Sequence, residues 1–143
     1  MFFLKELPSE KIMQRYASRF SEMDIDKTRE ALHMMRNASL LMRDLENYFR
    51  KYHFSMTRFL ILIVLDREPE LETFTISDLV SRLDISKPVI TTTAKRLEQD
   101  KMIQFDKNES DARYKKIRIT QKGRDTISKI MPGYYKIINE HMD

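Results

Sequence analysis

The sequence predicts a mainly α-helical fold with one small two-stranded β wing, and three observations lead to this prediction. Apolar residues recur every three or four positions over most of the 143 residues, which is the spacing of amphipathic helices. Only two segments, 103–106 and 116–120, alternate apolar and polar residues as short strands do. Two glycines and four prolines are few, and this composition favours a compact helical protein.

Two helices are predicted in the N-terminal third. Ser9 is a good N-cap for a helix over 10–20, and the stretch 24–26 interrupts the pattern and can cap a second helix from Thr28 to Tyr52. The second helix would be roughly 37 Å long at 1.5 Å per residue, more than one small domain needs. Part of its wide apolar face is therefore expected to meet another subunit.

The next two helices are separated by a proline. Segment 56–68 is apolar on nearly every side and should be the buried central helix, which Pro69 ends. A short extended piece over 72–74 follows, and Thr75 or Ser77 then caps a fourth helix.

Composition argues against catalysis. The absence of cysteine excludes disulfides, zinc–thiolate sites and thiol chemistry. His33, His53 and His141 have no partners at metal-ligand spacing, and no nucleophile elbow or phosphate-binding glycine loop occurs. We expect neither an enzyme nor a bound cofactor.

The sequence also gives no sign of a membrane partner. The longest strongly apolar run, 59–65, is too short to span a bilayer, and the first residues do not have the pattern of a signal peptide. A soluble, cytoplasmic protein is expected.

Positive charge is concentrated in one third of the chain. Residues 82–124 contain 12 Lys and Arg against 6 Asp and Glu, whereas the whole chain has a net charge of only +4. Such a local surplus is expected of a surface that meets phosphates.

Segment 75–101 has the pattern of a helix-turn-helix, with a three-residue turn at 84–86 and a second helix from Lys87 to about Lys101. Ser86 is the expected N-cap of that helix, and Pro88 lies in its first turn. The residues spaced to fill the angle between the helices are Ile76, Leu79, Leu83, Ile85, Ile90, Ala94 and Leu97. The outward stripe is Pro88, Thr91, Thr92, Lys95 and Gln99. These side chains can enter a major groove, but with no Asn or Gln near the N-terminal end, DNA shape should contribute more than direct base contacts.

The two alternating segments predict a hairpin, the wing. The side chains expected to pack inward are Ile103, Phe105, Ile117 and Ile119, and the cations expected outside or at the tip are Lys107, Arg113, Lys115, Lys116 and Arg118. An arginine on a narrow ribbon can reach a minor groove, and Asp111 is placed to orient Arg113. Thr120 should cap a last helix, which Pro132 and Gly133 should kink.

These motifs resemble the MarR family from about residue 30 to 135. The run SKPVITTTAKRLE from Ser86 to Glu98 is similar to the family's recognition helix. Asp111–Ala112–Arg113, with the Thr-x-x-Gly of Thr120 and Gly123 behind it, is similar to the family's wing and its junction with the next helix.

The resemblance implies a homodimer held by terminal helices, with paired recognition helices on a pseudo-palindrome and wings in the flanking minor grooves. It implies that 1–54 and 121–143 form the dimerisation region and that 55–120 form the DNA-binding lobe of a single domain. Two features depart from the family. Thr92 stands where an arginine is frequent, and the sequence stops at Asp143, where many members continue into another dimerisation helix.

Taken together, the outward stripe, the wing and the resemblance predict a set of residues that contact double-stranded DNA. They are Ser86, Lys87, Pro88, Val89, Thr91, Thr92, Lys95, Asp111, Arg113 and Lys115.

Members of the MarR family often bind small aromatic anions, so a small aromatic or phenolic effector is a further expectation. Flexible methionines suit an irregular cleft, although the same side chains also suit ordinary core packing. The candidate residues are Met34, Met35, Met42, Tyr48, Phe49 and Tyr52.

The residues and the resemblance together predict a homodimeric DNA-binding transcriptional regulator, and the resemblance implies a repressor that occludes a promoter, since most members of the family are repressors. The alternative is a winged-helix module that binds protein and has no DNA-binding activity.

Overall fold

The computed structural model describes residues 2, 4–67, 74–106 and 115–143. Within these ranges it contains six helices and two strands. The helices are α1 (Glu10–Arg19), α2 (Ile25–Lys51), α3 (Met56–Arg67), α4 (Ile76–Arg82), α5 (Lys87–Gln99) and α6 (Gln121–Met142), and the strands are β1 (Ile103–Phe105) and β2 (Ile117–Ile119). The predicted mainly helical fold with one two-stranded sheet is confirmed.

The chain divides into two compact units. The first comprises Met1–Leu45 and Ile137–Asp143, and the second comprises Glu46–Lys136. The described helices include none that is long and apolar enough to cross a membrane.

The first unit contains α1 and most of α2. Ser9 is the N-cap of α1, as predicted, and its hydroxyl accepts a hydrogen bond from the Ile12 amide at 3.3 Å. Helix α2 begins at Ile25, three residues before the predicted start, because the Asp24 carboxylate accepts from the Lys27 amide at 3.0 Å and so caps this earlier turn. An ion pair between Arg29 and Glu10 links the two helices.

The core of the second unit is built around α3, which is the buried central helix that the sequence predicts. Its buried side chains are Phe59, Ile61, Leu62, Val64 and Leu65. Phe59 packs on Phe49 from the end of α2, with ring centroids 4.7 Å apart, and on Tyr134 from α6 at 4.8 Å. Aromatic pairs at these separations add to the free energy of apolar burial.

Strands β1 and β2 pair antiparallel, with Ile103 opposite Ile119 and Phe105 opposite Ile117. Ile103 and Ile117 are buried and the other two are half-buried, so these four side chains lie on the inward face, as predicted. Of the predicted extended piece 72–74, only Phe74 lies within the described residues. Phe74 is buried, and its carbonyl accepts from the Ile117 amide at 2.7 Å.

Helix α6 is capped by Thr120, whose hydroxyl accepts from the Gly123 amide at 3.1 Å, as predicted. The helix continues through Pro132 without a break. Gly133 permits a close approach, since a Cβ atom there would overlap the Tyr48 ring. The Tyr48 hydroxyl donates to the Ile130 carbonyl at 2.6 Å and so fastens the end of α2 to α6 within the second unit.

Thr75, the first of the two caps that the sequence allows, starts α4. Its hydroxyl accepts from the Asp78 amide at 3.3 Å, and the Asp78 carboxylate accepts from the Thr75 amide at 2.7 Å. Two amide donors at the helix start are thus satisfied reciprocally.

We predict that Thr75→Ala lowers the free energy of unfolding by about 1 kcal/mol, because the cap on the Asp78 amide is lost. Ser77→Ala is the matched control, since Ser77 lies on the exposed surface of the same turn and caps nothing in the described structure. Urea unfolding followed by circular dichroism measures both. Equal effects of the two substitutions would show that Thr75 is not the cap.

Candidate nucleic-acid interface

Helix α5 begins with an N-cap whose side chain stays available. Ser86 has the extended backbone of an N-cap, as predicted, but its hydroxyl makes no capping hydrogen bond. Pro88 lies in the first turn, where a missing amide hydrogen costs little. Within the residues that the structure describes, the exposed Ser86 hydroxyl therefore caps none of the amides of this first turn.

One face of α5 is fully buried. Ile90, Ala94 and Leu97 have no exposed surface, in agreement with the prediction. Through this face α5 packs on α3, α4 and β1. Because the packing is complete, the rotation of the helix about its own axis is fixed.

The opposite face carries most of the predicted DNA contacts. Lys87, Pro88, Thr92, Lys95 and Gln99 are exposed. Val89 is 46% exposed, which is unusual for a valine on a well-packed helix and leaves its methyl groups accessible.

Thr91 differs from its neighbours because it is only half-buried at the surface. It lines a shallow groove of about 170 Å³ between α5 and the wing, together with Lys95, Phe105 and Lys115. Two cations, one from α5 and one from the wing, thus border the same groove.

The wing presents part of the predicted basic edge. Arg118 is exposed, whereas Lys115 and Lys116 are half-buried. The predicted contacts Asp111 and Arg113, together with Lys107, lie outside the described residues.

The C-terminal end of α5 holds a cluster that the sequence analysis missed. Asp100 is the C-cap, and its carboxylate accepts from Arg96 Nε at 3.2 Å and lies 3.7 Å from Arg58 Nη1. Lys122 Nζ donates to the Asp100 carbonyl at 2.7 Å. Burial lowers the pKa of Arg58, an effect that Asp100 opposes and Arg96 reinforces. Arg96 and Asp100 stand four apart, a signal readable from sequence, but nothing in the sequence joins them to Arg58 or Lys122.

Helix α5 ends at Gln99, immediately before this cap and two residues earlier than the predicted end at about Lys101. Lys101 has a positive φ of 61°, and the amides of Lys101 and Met102 turn back to the carbonyls of Glu98 and Leu97. This is the hydrogen-bond pattern of a helix that ends on a left-handed residue.

The residues predicted to line an effector cleft lie in both units. Met34, Met35 and Met42 are exposed on the part of α2 that belongs to the first unit. Tyr48 and Tyr52 belong to the second unit, with ring centroids 5.2 Å apart, and burial together with Tyr52 raises the pKa of Tyr48 to about 12. Phe49 is fully buried in the core.

The ranges that the structure describes contain no group of three His, Asp or Glu side chains able to hold a metal ion.

Residues 54–115 match the sequence model of the MarR family, a stretch that begins just before α3 and ends just before β2. No curated protein matches the chain by sequence.

Solved structures share the fold. AbsC, a MarR family transcriptional regulator from Streptomyces coelicolor, superposes with a TM-score of 0.70 at 24% identity, over 83% of this chain and 79% of AbsC. Sco3205, a MarR family regulator from the same organism solved in complex with DNA, gives 0.73 at 17% identity, over 83% and 74%. BpsR of Bordetella bronchiseptica, whose DNA binding is regulated by 6-hydroxynicotinic acid, gives 0.64 at 16% identity, over 85% and 81%.

The helix-turn-helix, the wing behind it and the shared fold agree with the family match. Residues 54–115 carry the sequence pattern of the MarR family, and the chain has the winged helix-turn-helix fold of solved MarR family regulators.

Proposed function

We propose that the chain is a homodimeric repressor that binds a pseudo-palindromic promoter site through α5 and the wing. The observation that carries this proposal is the division of α5 into a fully buried apolar face and an exposed face of short, hydrogen-bonding and cationic side chains. A helix that projects such a face beside a β hairpin suits a DNA major groove.

The exposed face of α5 has the chemistry to contact both bases and phosphates. Thr92 offers a hydroxyl and a methyl group, and the methyl groups of Val89 can pack on a thymine methyl. Lys95 makes no ion pair with any residue that the structure describes, so its charge is available to a phosphate. The first turn of α5, with the Ser86 hydroxyl, also favours a phosphate.

The wing supplies the second contact of the proposal. Arg118 is exposed on β2, and Lys115 borders the groove beside α5. The sequence predicts that Arg113 lies at the wing tip, and this residue is outside those that the structure describes. Arg113 would enter the flanking minor groove, where the negative potential is strongest.

The first unit supplies the proposed dimer interface. Its helices expose many large apolar side chains, with Met34 66% exposed. A surface of this kind on a soluble protein generally meets a partner, and we assign it to a second copy of the chain. The exposed apolar residues of the first unit's helices and of the C-cap of α1 are Ile12, Tyr16, Phe20, Met34, Met35, Leu40, Met42 and Met142. The two copies would then bind half-sites about 34 Å apart.

The small aromatic effector that the sequence predicts shares three candidate residues, Met34, Met35 and Met42, with this proposed interface. The exposure of Met34, Met35 and Met42 suits a surface covered by a second chain. BpsR is a relative in fold that responds to such a molecule. For this chain the effector remains a prediction, and release of the promoter would require it to change the spacing of the two α5 helices.

We predict that Lys95→Ala lowers affinity for DNA by about 1–3 kcal/mol and makes the salt slope shallower by about one, because one phosphate or base contact is lost. The test uses fluorescence anisotropy with a duplex that the chain itself selects from a random library. Lys27→Ala, on α2 far along the chain, removes the same charge and should leave the affinity unchanged.

Equal affinities of wild type and Lys95→Ala would show that α5 is not the helix that contacts DNA. Failure of the wild-type chain to select any duplex would favour the alternative, a protein-interaction module.

We predict that the double substitution Met35→Glu with Met42→Glu raises the dimer dissociation constant by about a hundredfold, since burying charges in an apolar interface is costly. Gln104→Glu is the control, because Gln104 is exposed on β1 in the second unit, outside the proposed interface. Analytical ultracentrifugation reports the mass, and circular dichroism confirms folding. A wild-type monomer, or a double variant that stays dimeric, would contradict the proposed interface.

A further inference from the structure

A cleft of about 540 Å³ opens in the second unit, at the C-terminal end of α5. Its walls come from the segment after α2, the first turns of α3, the end of α5 and the first half of α6. This volume lies within the range of about 300–1,000 Å³ that is usual for small-molecule pockets. The cleft is separate from the exposed stripe of α5 that we assign to DNA.

Cations dominate the lining of this cleft. Arg58 and Arg96 both address the same Asp100 carboxylate oxygen, and Lys122 donates to the carbonyl of that residue. Lys129 also lines the cleft and forms no ion pair within the described residues. The second carboxylate of the lining, Asp125, already accepts from the Gln121 side chain at 2.8 Å. Four cationic side chains therefore face two carboxylates, leaving a net charge of +2.

The most buried of these cations is held in place from several sides. The side chain of Arg58 is only 19% exposed, its Nη2 donates to the His53 carbonyl at 2.9 Å, and it lies over the Phe54 ring at 4.8 Å. Withdrawal from water makes its charge costly, and burial accordingly lowers its pKa. A bound anion would offset that cost and gain rigid, charge-assisted hydrogen bonds.

We propose that this cleft binds a phosphate monoester of a small ring-containing molecule, with the phosphate on Arg58, Arg96, Lys122 and Lys129 and the ring against Tyr52. A phosphate monoester carries a charge of about −1.5 to −2 at pH 7, which matches the excess charge of the lining. Free phosphate would fill little of the volume, whereas the 40% exposed Tyr52 ring offers a surface on which a second ring stacks.

Occupancy of the cleft should change DNA affinity. Asp100 ends α5, and a phosphate that competes for Arg58, Arg96 and Lys122 would loosen the contacts that hold this end of the helix. By linkage, DNA would alter the affinity for the phosphate ligand by the same factor. This regulatory consequence rests on the proposed function, whereas the binding site itself does not.

Isothermal titration calorimetry of the full chain with phenyl phosphate tests the site without DNA. Phenyl phosphate should bind more tightly than three partial analogues. Phenol lacks the charge, benzoate lacks the second charge and inorganic phosphate lacks the ring. Lys122→Gln and Lys129→Gln should each weaken binding by about tenfold through loss of one charged hydrogen bond. Lys136→Gln, an exposed lysine of α6 outside the cleft, should leave it unchanged.

Absence of phenyl phosphate binding, or equal binding of benzoate or phenol, would overturn the proposal. So would an equal loss in Lys136→Gln, which would indicate general charge attraction. If phenyl phosphate fails to bind and the Lys122 and Lys129 substitutions instead weaken DNA binding, these cations serve the DNA backbone. If phenyl phosphate binds with the predicted pattern in a chain that binds no DNA, the site stands and the proposed function fails.

Discussion

Burial of one face of α5 is the constraint on which the rest of the structure depends. Ile90, Ala94 and Leu97 are withdrawn completely from water, and each such apolar side chain contributes in proportion to the area that it buries. A helix of 13 residues held in this way cannot rotate, so the positions of Thr92 and Lys95 on the outside follow from the positions of the buried residues. The surface assigned to DNA is thus a consequence of core packing.

The elements around α5 serve that packing in different ways. The aromatic cluster of Phe49, Phe59 and Tyr134 anchors α3, on which α5 rests. At the C-terminal end of α5, Asp100 contacts one cationic side chain each from α3, α5 and α6. Its single negative charge does not balance their three positive charges. The same contacts that end the helix therefore create the cleft that we assign to a phosphate monoester.

The sequence predicts those features that depend on local periodicity and capping. The buried and exposed faces of α5, the strand alternation and the Ser9 and Thr120 caps follow from residue spacing, and the structure has them. The earlier start of α2 escaped prediction because Asp24 caps a turn with little apolar patterning. The half-burial of Thr91 depends on the wing, and the cluster around Asp100 joins residues from α3, α5 and α6. Such contacts arise only when distant segments pack together.

We propose that two copies of the chain hold α5 against a specific DNA site. Fluorescence anisotropy tests this with a duplex from the region upstream of the chain's own coding sequence, beside a scrambled duplex, at several salt concentrations. We expect preferential binding to the upstream duplex, two chains per duplex and a steep loss of affinity with added salt. Absence of binding to either duplex at low salt, or saturation with a single chain, would contradict it.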